Sequence, residues 1–260
     1  MFFHNNLLKL FYSAMLTGIP SVTYNPINNN IFHAPVVIKP FSTYINYRLN
    51  FEEYTYIKNI LDSKSNNLFP IFTNTLQDEN KDYYLSVNIY NCSSPIFNTI
   101  TQAEVTRCEI NTYVTDSNKN IGTVIMDYCS NYLSMDPVNI FKLPDNISFI
   151  YDKYQHYIHG FADSANIKLN MNFDVESTHN FNKLSNDIVL FTDKIFYMNG
   201  IYDKLYYDSS LINNKIIVPL FNNISFKFFD LEFENPSSIF YFKNEINFVG
   251  GIWYNLFEHI

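Results

Sequence analysis

The chain of 260 residues carries 17 Lys and Arg against 25 Asp and Glu, for a formal net charge of −8, with 47% hydrophobic and only 16% charged residues. Apolar content at that level excludes a disordered chain, and an acidic balance without a basic stripe excludes a nucleic-acid partner. No apolar run reaches the roughly 18 residues that span a bilayer, so the expectation is no membrane partner and a cytoplasmic location.

The 21 Tyr and 25 Phe favour strands over helices. With 37 Asn and only two Arg, the composition is that of an AT-rich genome. Asparagine is therefore background, and each arginine is worth following. Cys92, Cys108 and Cys129 form no C-x-x-C pair, which argues against a zinc knuckle or a disulfide framework. They read as buried, reduced thiols.

In chain order, residues 1–40 read as an N-terminal arm with a short helix at about 5–16, punctuated by Pro20, Pro26, Pro35 and Pro40. Residues 41–260 read as one β-barrel-like domain. Ser42 to Leu49 alternates with period two and reads as a strand. Asn50 then reads as an N-cap, with Glu52 and Glu53 in the first turn and Tyr54, Ile57, Ile60 and Leu61 at helical spacing. The predicted helix covers 51–62 and ends in a polar run.

Period two dominates from there on. Strands are predicted at 84–90 and 107–114, and a turn at Asp116 to Asn120 leads into a hairpin strand at 122–128. Asp136 and Pro137 start a predicted short helix at 136–142. Further strands are expected at 148–152, 155–162, 166–175, 195–198, 204–207, 224–233 and 239–242, and Gly250-Gly251 reads as a turn. The sum is a mainly β, antiparallel barrel or sandwich with two or three short helices.

Several stretches together resemble the acetoacetate decarboxylase-like superfamily, in a branch without the reactive lysine. They are Tyr44 to Leu61, Tyr84 to Tyr90, Thr106 to Val114 with Gly122 to Tyr128, and Leu190 to Tyr197 with Lys204 to Tyr207 and Val218-Pro-Leu. The resemblance implies an antiparallel barrel around a solvent-excluded cavity. In the family's decarboxylases a lysine there forms a Schiff base with a β-keto acid, its pKa lowered by an apolar pocket. That lysine follows a turn proline. Here Pro144 matches the proline, but Asp145 and Asn146 stand where the lysines would be, and Lys142 lies upstream. A carboxylate cannot form an imine, so no Schiff-base decarboxylation is expected.

Arg107 and Glu109 are two apart on one predicted strand and so face the same side. The resemblance implies that Glu109 is a cavity glutamate with an acid/base role, Arg107 a substrate-carboxylate contact and Arg48 an anion contact near the cavity mouth. Asp127 alternates with apolar neighbours and is a further substrate-binding candidate. His156 and His159, three apart on a predicted strand, would point to opposite faces and cannot share a metal. No glycine-rich phosphate loop or G-x-S-x-G is present, so no cofactor or metal is expected.

Two functions follow. One is a cavity for a small apolar or carboxylated molecule. The alternative is a non-catalytic structural or interaction protein whose aromatic surface assembles copies of the chain. An enclosed pocket lined by Arg and Glu separates the first from the second.

Overall fold

A computed structural model describes residues 23–25, 31–64, 68–75, 78–93, 104–117, 119, 121–131, 143–180, 195–197, 205–206, 216–242 and 245–253. The elements are β1 (Thr23–Asn25), β2 (Ile31–Ile38), β3 (Thr43–Arg48), α1 (Phe51–Lys64), β4 (Leu68–Pro70), β5 (Thr73–Thr75) and β6 (Asp78–Asp82). Next come β7 (Tyr84–Ser93), β8 (Val105–Asp116), β9 (Ile121–Ser130), β10 (Asn146–Asp152), β11 (Tyr157–Asp163) and β12 (Ile167–Asn180). The last are β13 (Ile195–Tyr197), β14 (Leu205–Tyr206), β15 (Ile216–Phe228), β16 (Leu231–Phe233), β17 (Ser238–Phe242) and β18 (Ile246–Trp253).

Among the described residues α1 is the one helix, and none is long and apolar enough to cross a membrane. The helices expected at 5–16 and 136–142 lie outside the described residues. Helix α1 starts where a local signal dictates. Asn50 Oδ1 accepts the Glu52 and Glu53 N–H groups, each at 2.9 Å, while Glu53 Oε2 accepts the Asn50 N–H at 2.8 Å. Such a reciprocal box satisfies donors that the first turn leaves orphaned. One turn apart, Ile57 and Leu61 then bury one side of the helix in the core.

The chain is mainly β, and among the described residues sixteen strands share one sheet whose central run is β9-β8-β7-β3-β17-β15-β12-β11-β10. All its pairings are antiparallel except β13 with β9. No pairing joins the ends of the strand order, β1 and β10. Within it, however, β2 pairs with both β18 and β7, so pairings lead from β7 through β8, β9, β13, β14, β18 and β2 back to β7. On the other side, β10 folds over to pack on β7, β8 and β9. Between these layers lies the apolar core, including Ile45, Leu61, Val87, Ile110, Phe149 and Phe173.

Four sequence expectations are corrected. The run 224–233 is broken by a turn at Phe229, whose φ of 52° ends β15 and starts β16. Gly250-Gly251 is no turn but lies inside β18, opposite Ala34 and His33 of β2. Accordingly, the last part of the expected arm is a strand built into the sheet. The run expected as strand from 155 begins at Tyr157, because residues 153–156 form the turn after β10.

All three cysteines are buried and free, and Cys108 stands directly opposite Cys129 across the β8–β9 pair. The hydrogen bond with Cys129, then burial, push the Cys108 thiol up, and burial pushes the Cys92 thiol up to about 12. A thiol held neutral in the fold but free to ionise when unfolded, above about pH 8.5, makes stability fall with rising pH, by up to about 1.4 kcal/mol per pH unit. Urea titrations between pH 8 and 9.5 should therefore show a steeper loss for wild type than for Cys92→Ala. Parallel pH profiles would remove Cys92 from the account.

Candidate ligand-binding site

The period of two sends alternate residues of β8 to opposite faces. Cys108, Ile110 and Val114 enter the apolar core. The residues between them, Arg107, Glu109, Asn111 and Tyr113, are also buried, but against polar neighbours. Register aligns these neighbours in rows across four or more strands. One row is Phe240, Tyr44, Asn88, Glu109 and Tyr128; the next is Ser238, Asn46, Ser86, Asn111 and Ile125. A sheet with one dry face and one buried polar face is an arrangement that stability alone does not require, because each buried polar group must be matched.

At its centre sits an ion pair. Arg107 is 1% exposed and Glu109 is 6% exposed. Arg107 Nε lies 3.1 Å and its terminal nitrogen 3.0 Å from Glu109 Oε1. Tyr90 donates its hydroxyl to the same oxygen at 2.8 Å. The guanidinium carbon sits 4.3 Å from the centroid of the Tyr128 ring, in cation–π contact. Burial first, and the Glu109 charge second, push the Tyr90 phenol well up, so that it stays a neutral donor. The three contacts all fall on Oε1. A buried guanidinium so paired is planar, charged and desolvated, where bidentate contact with a carboxylate is strongest.

The remaining sequence-predicted residues lie elsewhere. The structure does not bring Arg48 into this cluster. It stands at the end of β3, its side chain 42% exposed and its Nε 3.3 Å from Asp82 Oδ2. Asp127 pairs with Ile110, a core residue, and so stands on the face opposite Glu109. Its carboxylate accepts the Asn166 side-chain N–H at 2.8 Å and the Tyr128 N–H at 2.8 Å, tying β9 to the β11–β12 turn. His156 lies in the turn before β11 with a φ of 51°, whereas His159 Nδ1 is 2.6 Å from Asn172 Oδ1. Among the described residues no three His, Cys, Asp or Glu side chains converge to hold a metal ion.

Asp145, which follows Pro144, lies beside the cluster. Its N–H donates to Ser130 O at 2.7 Å and its Oδ2 accepts the Ser130 N–H at 3.3 Å. Ser130 is the cross-strand neighbour of Arg107. Among the described residues no lysine is buried. Sequence reasoning missed Tyr90, Tyr128, Ser86 and Asn111. For Tyr90 and Ser86 the signal was the alternation Tyr84-x-Ser86-x-Asn88-x-Tyr90, which is polar yet uncharged, unlike a solvated face.

A surface groove of about 640 Å³ runs along β11, β12, β15 and β16, well away from Arg107. Four of its charged residues pair with one another, Lys168 with Asp163 at 3.7 Å and Lys227 with Glu232 at 3.3 Å.

No protein-family model matches the chain, and no curated protein matches it in sequence. Among solved structures, an acetoacetate decarboxylase-like enzyme from Sphingomonas wittichii is similar, with a TM-score of 0.45 and 7% identity over 84% of this chain and 92% of that one. Acetoacetate decarboxylase from Legionella pneumophila is similar with a TM-score of 0.47 and 7% identity, over 90% of this chain and 89% of that one.

Proposed function

We propose that the polar face of β7, β8 and β9 lines a cavity for a small apolar or carboxylated molecule, on an acetoacetate decarboxylase-like scaffold, and that no Schiff base forms in it. The observation that carries this reading is the buried Arg107–Glu109 pair with Tyr90 on the same carboxylate oxygen. The circuit of pairings from β7 through β18 and β2 back to β7 supports closure over this face. An entering carboxylate takes the guanidinium in place of Glu109. Glu109, released from the guanidinium, then stands beside the bound molecule as the carboxyl group that can exchange a proton with it. Arg48 and Asp127 stand outside this set.

A thermal-shift screen of acetate, butyrate and acetoacetate tests the reading. Carboxylates should raise the melting temperature of wild type but not of the charge-balanced double variant Arg107→Gln with Glu109→Gln. If they stabilise both alike, or neither, the pair is structural and the scaffold reading takes over. Borohydride treatment with acetoacetate should leave the mass of the chain unchanged; an adduct on Lys142 would overturn the exclusion of imine chemistry.

A further inference from the structure

In the row next to the ion pair, two buried polar atoms have no hydrogen-bond partner. Ser86 and Asn111 face each other directly across β7 and β8. Ser86 is 0% and Asn111 2% exposed, and neither Ser86 Oγ nor Asn111 Oδ1 has a hydrogen bond. Their neighbour Asn46 bonds to neither and is turned to other partners. Its Nδ2 donates to Ser238 Oγ at 3.0 Å, and its Oδ1 accepts the Tyr113 hydroxyl at 2.9 Å. A buried polar atom without a partner is costly, and natural folds rarely keep two side by side unless something else completes them.

We infer that Ser86 Oγ and Asn111 Oδ1 form a second subsite, which takes the hydroxyl or amino group of a short hydroxy- or amino-carboxylate anchored on Arg107. This rests on the carboxylate reading above and deepens it. An amide oxygen only accepts hydrogen bonds, so the group it meets must donate one; a serine hydroxyl does either. A hydroxyl or an amine satisfies both at once, whereas a methyl group or a second carboxylate leaves Asn111 unmet. Spacing sets the length. The Arg107 guanidinium reaches Glu109 Oε1, and Glu109 and Asn111 are alternate residues on β8, about 6.8 Å apart along the strand, so the donor stands a few bonds from the anchored carboxylate. A site built with such acceptors rejects an analogue that lacks the donor, because its own polar atoms then stay buried and unpaired.

The test compares butyrate with 4-hydroxybutyrate and 4-aminobutyrate by isothermal titration calorimetry on the full chain. Wild type should bind at least one of the two donor-bearing compounds tenfold or more tighter than butyrate. Asn111→Leu and, as the gentler variant, Ser86→Ala should lose that preference while keeping butyrate affinity. Both should also keep the wild-type melting temperature or exceed it, since neither removes a bond. If butyrate binds wild type without any preference, or the preference survives in both variants, the subsite is wrong and the carboxylate cavity stands. A fall in melting temperature in both variants would assign the pair a structural bond and overturn the subsite equally. If none of the three compounds binds wild type, the cavity reading itself fails, and the subsite with it.

Discussion

Arg107→Ala should destabilise the protein by about 3–5 kcal/mol, because it leaves the Glu109 carboxylate buried without its counter-charge. Only Tyr90 would still hold Oε1. The double variant Arg107→Ala with Glu109→Ala should cost clearly less than the sum of the two single changes, since it removes the stranded charge together with its cause. Arg48→Ala is the control. Its partner Asp82 is reached at the surface, with the arginine side chain 42% exposed, so the loss should stay below about 1 kcal/mol. Urea denaturation of the four variants gives the cycle. Additive costs at Arg107 and Glu109 would mean that the two charges are not coupled, and the account of the site would lose its centre.

The second large effect lies on the other face of the sheet. Phe173, 2% exposed on β12, stands opposite Ile158 and Phe221 in the adjacent strands, within the layer that closes the core. Phe173→Ala should cost about 3–5 kcal/mol through lost transfer energy and the cavity left behind. Phe51 carries the same side chain at the start of α1 but is 83% exposed. Phe51→Ala should change stability by no more than about 0.5 kcal/mol. Melting curves of the two variants check the contrast, and similar losses would show that the two sheet layers do not share this core.

What was legible in the sequence was local. The cap at Asn50, the turn from Asp116 and the alternation through 84–90 and 107–114 each involve residues a few positions apart, so α1 and the β7–β8–β9 strands could be read directly. Alternation also put Arg107 and Glu109 on one side. It could not say whether that side meets solvent or protein, since what covers it comes from segments far away in the chain. Pro35 and Gly250-Gly251 look like strand breakers, yet Val249 pairs with Pro35 and Gly250 with Ala34. There the pairing of β2 with β18 overrides local preference.

Asp127 shows the limit most clearly. Strict alternation would have put it on the face of Thr123 and Ile125, the face of Glu109. The β8–β9 register instead slips between Ile110 and Asn111, leaving Met126 as the extra residue and Asp127 opposite Ile110. A one-residue bulge turns every later side chain to the other face. The sequence by itself thus determined α1, the strands β7, β8 and β9, and the shared side of Arg107 and Glu109. Tertiary structure alone decided which of two strand arginines is buried, which carboxylate meets it, and that Ser86 and Asn111 face each other unsatisfied, because burial and register are properties of strand pairs rather than of strands.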